Sequence, residues 1–249
     1  MRRPLQVTLL VLSGIGLLRV ALFSELYLRY VKEGMRPLLV ASGVLLVLLG
    51  VADAVSYMQQ RKRGAHTDHG DEGQGHHHSG APRAAWLLFL PALSLLLYAP
   101  PALGAYTASR QPPKAITHQD EFDPLPATSP LPITLSDFIR RVQQDHTLAI
   151  RKRTVQMTGF VTSDKQGGSW FLNRIIISCC AADAQSVRVR IHGTPALPAN
   201  TWVAVTGTWH PGGTLGTKSA PAALDARSVA EIAKPVNAYT DALPLVPTR

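Results

Sequence analysis

Three apolar runs constrain this chain before anything else does. The first, LQVTLLVLSGIGLLRVALF (residues 5–23), carries a single charge, Arg19. The second, PLLVASGVLLVLLGVADAVSY (residues 37–57), carries only Asp53, and the third, WLLFLPALSLLLYAPPALGAY (residues 86–106), carries none. Each has the length a helix needs to cross a hydrocarbon core of about 30 Å at about 1.5 Å per residue. Core helices of a soluble protein are the alternative, but three such runs in a chain with 16% charged residues are hard to place in a soluble fold. The first 107 residues are therefore expected to form a membrane domain of three helices.

Basic residues in the short flanks give the expected orientation. With the N-terminus inside, the cytoplasmic flanks hold Arg2, Arg3, Arg61, Lys62, Arg63 and Arg83. The hairpin between the first two spans holds Arg29, Lys32 and Arg36, offset by Glu25 and Glu33. Three crossings then place everything after Tyr106 outside the cytoplasm, in a multi-pass plasma-membrane protein. No convincing cleavage site follows the first run, so it reads as a retained helix. Pro91, Pro100 and Pro101 make the third span irregular, and the carbonyls they free call for packing against another helix. Arg19 lies about 21 Å along its helix and Asp53 near the inner end of the next, so the two do not pair. Each is either hydrated near an interface or a polar contact to the helices of a partner protein.

Between the second and third spans, the cytoplasmic loop of residues 58–83 contains HTDHGDEGQGHHHSG, five of the nine histidines of the chain. His66, Asp68, His69, His76, His77 and His78 form an adaptable ligand set for zinc or another transition metal. Their spacing is not that of a structural zinc site, so the expectation is a labile site. A polar linker without a ligand is the competing reading. Nothing in the loop preorganises a nucleophile, and no enzymatic activity is expected.

After the third span, proline-rich residues 108–132 read as an extended tether. ITLSDFIRRVQQDH then carries helix signals. Thr134 or Ser136 can cap it, Asp137 suits its first turn, and Leu135, Phe138, Ile139 and Val142 share a face. Strands are expected at residues 154–162, 170–178, 187–192, 202–209 and, more weakly, 228–234. Five short strands with glycines midway at Gly159 and Gly207, where sharp bends are needed, predict a small all-β, OB-like barrel over residues 133–235, followed by a tail at 236–249. The fold class expected is a membrane α-helical N-terminal region joined to this β-domain with its one short helix. Nucleic acid is not an expected partner, because the domain lies outside the cytoplasm and the chain, despite its net charge of +9, has no dense basic block.

The most unusual chemistry is ISCCAADA, residues 177–184. Adjacent Cα atoms are about 3.8 Å apart, closer than an ordinary disulfide spans, and side chains alternate along a strand. Cys179 and Cys180 can act together only if the strand ends there. With Asp183 nearby they can bind a soft metal or sense oxidation. The bland alternative is one packed cysteine beside a half-exposed neighbour.

The LRYVKEGMRP hairpin, the histidine-rich loop and the outer GFV…WFLNRIIISCCAADA segment together resemble a family of bacterial membrane proteins described as one subunit of a two-component membrane permease complex. CCAADA with the preceding Arg174 is the most specific part of that resemblance. It implies a separate multi-spanning permease as partner, with Arg19, Asp53 and Arg174 as candidate contacts, and establishes no catalytic residues. The expectation is an accessory permease subunit embedded in membrane lipid. An envelope thiol-based redox or metal sensor, which needs a reactive low-pKa cysteine, is the rival.

Overall fold

A computed structural model describes residues 2–63, 102–112, 114–164 and 168–245. The histidine-rich residues His66, Asp68, His69, His76, His77 and His78, and residues 86–101 of the expected third span, lie outside the described residues. The chain divides into two compact units, residues 1–28 with 33–102 and residues 29–32 with 103–249.

In the first unit, α1 (Arg2–Phe23) and α2 (Arg36–Arg63) are helices long and apolar enough to cross a membrane. They pack against each other where side chains are missing. A Cβ on Gly14 would lie 2.8 Å from the Gly43 carbonyl and 2.7 Å from the Val47 side chain; one on Gly50 would lie 2.7 Å from Val11. All three glycines are buried. Small residues that let backbones approach are what drives helix association where water supplies no hydrophobic force. Arg36 donates from Nε to the Ala21 carbonyl at 2.9 Å and so satisfies an acceptor that the end of α1 leaves open. Arg19 is exposed and Asp53 half-buried, and no ion pair joins them among the described residues.

The second unit is mostly β. Its strands are β1 (Leu131–Pro132), β2 (Val155–Ser163), β3 (Trp170–Ile176), β4 (Gln185–His192), β5 (Trp202–Trp209) and β6 (Ala223–Glu231). The pairings run β1-β2-β3-β4-β6-β5, and β5 returns to pair with β2, so five strands close into a ring. All neighbours in the ring are antiparallel except β4 and β6. Alternation along β4 sends Val187, Val189 and Ile191 inward, where they meet Met157, Leu172, Val203, Val205 and Leu224. Gly159 and Gly207 sit where backbones nearly touch: a Cβ would strike the Asn173 carbonyl in the first case and the Asp225 carbonyl in the second. The register slips between Thr206 and Gly207 in a bulge, the device that bends a strand around a barrel.

A short helix, α3 (Ala105–Arg110), buries Ala105 and Ala108 against Phe160, Ile175 and Ile177. Residues 105 and 106, the last two of the expected third span, thus belong to the β-domain. The helix α4 (Leu135–Gln144) is capped by Thr134, whose hydroxyl accepts from the Asp137 N–H, and buries Leu135, Phe138, Ile139 and Val142. β6 begins five residues before the strand read from the sequence, since Asp225, Arg227 and Ser228 interrupt the apolar alternation that would have shown it. Residues 114–128, read as a tether from their proline content, instead lie along the domain. Lys114 N–H donates to the Ser186 carbonyl at 2.7 Å, Arg141 donates to the Asp123 carbonyl at 3.0 Å, and Arg153 donates to that of Pro126 at 2.6 Å. Proline removes donors but leaves acceptors, and these arginines find them.

Replacing Gly207 by alanine forces a methyl into the Asp225 backbone and is expected to cost about 1–3 kcal/mol. Denaturant unfolding followed by tryptophan fluorescence measures it; an unchanged midpoint would show that the bulge relaxes freely.

Candidate functional site

β3 ends at Ile176, and the chain turns through Cys179–Asp183 before β4 begins. Asp183 shapes that turn. Its carboxylate accepts from the Ser178 N–H at 2.9 Å and from the Cys179 N–H at 2.7 Å. The Cys179 thiol also donates to it. These three bonds hold the Asp183 carboxyl well below the usual range, at about 2, with the Cys179 thiol the main cause and the Ser178 N–H next. The same hydrogen bond to Asp183, followed by one with Cys180, pushes the Cys179 thiol up to about 11. Cys179 is exposed and Cys180 half-buried, and both are free thiols.

The outer edge of the turn is occupied by a strap, residues 29–32, from the linker between α1 and α2. Val31 and Cys180 pair antiparallel. Lys32 N–H donates to the Cys179 carbonyl at 3.1 Å, and Ala181 N–H donates to the Tyr30 carbonyl at 2.6 Å. Tyr239 borders the same place. Its carbonyl accepts from Ile177 N–H at 3.1 Å and its hydroxyl donates to the Leu103 carbonyl at 3.2 Å. Burial raises the pKa of Tyr239, against the opposing effect of Arg29. The turn is thus a docking edge for a backbone segment, built from main-chain groups that Asp183 holds in position.

This arrangement bears on the readings of the cysteine pair. Among the described residues no group of three or more His, Cys, Asp or Glu side chains is placed to hold a metal ion. At Cys179, Cys180 and Asp183, the residues expected to hold a soft metal, the carboxylate accepts from two backbone N–H groups and a thiol. A thiol whose pKa is raised is protonated at neutral pH, the opposite of what an activated cysteine needs.

Arg174, expected to face a partner protein, is instead inside the domain, with 1% of its surface exposed. Nε donates to the Thr158 carbonyl at 2.9 Å. One terminal nitrogen donates to the carbonyls of Asn237 and Thr240, both at 3.1 Å. The other donates to the Thr158 hydroxyl at 2.6 Å and the Leu245 carbonyl at 3.3 Å. All five N–H donors of the guanidinium are therefore spent within the domain. Desolvation lowers its pKa to about 10, partly countered by Asp241. Asp241 in turn caps α4, accepting from the N–H groups of Leu135 and Ser136 at 3.1 and 2.7 Å. Sequence reading singled out Arg174 without finding this role, since its acceptors are main-chain carbonyls that leave no residue signature.

Residues 128–240 match the DUF1980 C-terminal domain. The matched stretch runs from just before β1 to Thr240 and contains both Arg174 and the Cys179–Asp183 turn. No curated protein and no solved structure matches the chain.

Substituting Asp183 by alanine removes the groups that hold the thiol protonated. Iodoacetamide labelling of Cys179 at pH 8 is expected to accelerate about 10-fold or more, and the wild-type rate to keep rising with pH until the thiol ionises near 11. Equal rates in the two proteins would refute the hydrogen bond. Arg174→Leu takes the donor from four carbonyls, two of them buried, and is expected to destabilise the domain by about 3 kcal/mol. Limited proteolysis should then cut first between residues 237 and 245; cleavage elsewhere with that segment intact contradicts the role given to Arg174.

Proposed function

We propose that this chain is a non-enzymatic accessory subunit of a plasma-membrane permease complex. Its N-terminal helices dock on a separate multi-spanning permease, and its β-domain lies outside the cytoplasm at the permease mouth. The resemblance of the hairpin, the histidine-rich loop and the CCAADA segment to permease-complex subunits motivates the assignment. The observation that carries it is the pairing of residues 29–32 with the Cys179–Ala181 edge.

Segments joined by backbone hydrogen bonds share a compartment. If α1 and α2 cross the membrane, the linker between them and the β-domain lie on the same side. The chain between Arg36 and Leu103 must then cross an even number of times: once as α2 and once more in the apolar stretch that begins at residue 86 and ends before Leu103. That parity supports three spans, and the basic flanks around Arg2, Arg3 and Arg61–Arg63 favour the cytoplasm for the other face. On this reading the His66–His78 segment is cytoplasmic, where its imidazoles would hold a transition metal loosely. The barrel is read as OB-like on its five-strand closure with one parallel pair. Transport itself is assigned to the partner, because α1 and α2 carry only Arg19 and Asp53 between their ends and make a poor conduit for a polar solute.

A reporter fused at residue 75 is expected to be active only in the cytosol and one fused at Arg249 only outside it; both active in the cytosol would end the proposal. A cysteine at Val31 in a Cys179→Ser background should form a disulfide with Cys180 upon mild oxidation of intact cells. Purification in mild detergent should bring down a polytopic membrane protein, and recovery of the chain alone would remove the subunit assignment while leaving the topology standing.

A further inference from the structure

We infer that the groove over the outer face of β3 and β4 binds a multivalent phosphate-type oxyanion, held by Arg188, Arg190 and Lys114. The alternation that sends Val187, Val189 and Ile191 into the barrel puts Arg188, Arg190 and His192 in one outward row. Residues two apart on a strand are about 6.6 Å apart, close enough for neighbouring cations to share one polyanionic group. Phe171 on β3 pairs directly with Arg190 in the register. Its ring lies 4.8 Å from the Arg188 guanidinium carbon and 5.1 Å from that of Arg190, so one aromatic face steadies both. Lys114 joins the row because its own N–H is fastened to Ser186 on β4.

These side chains border a cleft of about 830 Å³, within the range of small-molecule sites, together with His192 and His210. The two imidazoles stack with centroids 4.2 Å apart, and His210 Nδ1 lies 2.6 Å from an Asp225 oxygen. Burial and the neighbouring His210 lower the pKa of His192, so at neutral pH it offers a neutral hydrogen-bonding edge. Asp164 approaches Arg190 at 3.8 Å, and Asp225 is engaged by His210. Three permanent cations against two carboxylates leave the cleft positive. A plain solvated charged strand would need neither the shared aromatic platform nor a wall that brings a third cation. Guanidinium forks match the oxygens of a phosphate bidentately, and several converging cations favour a di- or trianion over a single carboxylate. The inference does not depend on association with a permease.

The test is isothermal titration of the full-length protein, in an uncharged detergent at fixed ionic strength, with inorganic pyrophosphate and, separately, with dihexanoyl phosphatidate below its micelle concentration. Saturable binding of either probe is expected. A preference for pyrophosphate identifies a free phosphate ligand, and a preference for the phosphatidate identifies a lipid headgroup. Arg188→Gln and Lys114→Gln, each checked for an unchanged melting curve, should weaken binding about 10-fold or more. Arg151→Gln, an exposed charge outside the groove, should change it by less than about twofold. Absence of saturable heat with both probes, or equal loss from Arg151→Gln, overturns the inference.

Discussion

The guanidinium of Arg174 sits at the point where barrel, C-terminal segment and helix α4 meet. It binds Thr158 on β2 and the carbonyls of Asn237, Thr240 and Leu245, so a stretch without regular structure closes one side of the barrel. A buried charge of this kind is tolerable only when every donor is satisfied, and here each is. The placement of Tyr239 and Asp241 follows from it. Tyr239 receives the chain as it leaves β3, and Asp241 caps α4. The turn at Cys179–Asp183 is supported from below by this same tail.

On that support Asp183 performs a second organising role at the surface. It gathers two N–H groups and a thiol and leaves the outward carbonyl of Cys179 and the N–H of Ala181 free to pair. Residues 29–32 take both. The adjacent cysteines therefore contribute mainly backbone to an edge, and the protonated Cys179 thiol belongs to the scaffold of that edge. The segment that first attracts notice in the sequence thus serves, in the fold, as the edge that receives residues 29–32.

Much of the fold was legible. Long apolar runs, each with a single charge, were enough to reveal α1 and α2 because length and composition alone decide whether a helix suits a hydrocarbon core. The face of α4 was readable from Leu135, Phe138, Ile139 and Val142 at helical spacing, and β4 and β5 from strict alternation. Strand β6 was misplaced because a bulge and three polar residues broke the period. Residues 114–128 read as a tether because proline content reports missing donors and says nothing of arginines elsewhere that seek acceptors. The Gly14–Gly43 and Gly50–Val11 contacts carried a weak signal, glycine within apolar helices, that spacing alone could not pair.

What the sequence determined by itself was local and periodic: which segments are helices or strands, which faces are apolar, and that Gly159 and Gly207 occupy special points of their strands. Only the tertiary structure decided that Arg174 points inward, that Asp183 is taken up by backbone, and that residues 29–32 pair with Cys179–Ala181. Those facts depend on main-chain carbonyls and N–H groups brought together over long separations. Such groups are the same at every residue, so no pattern of side chains announces which of them will meet.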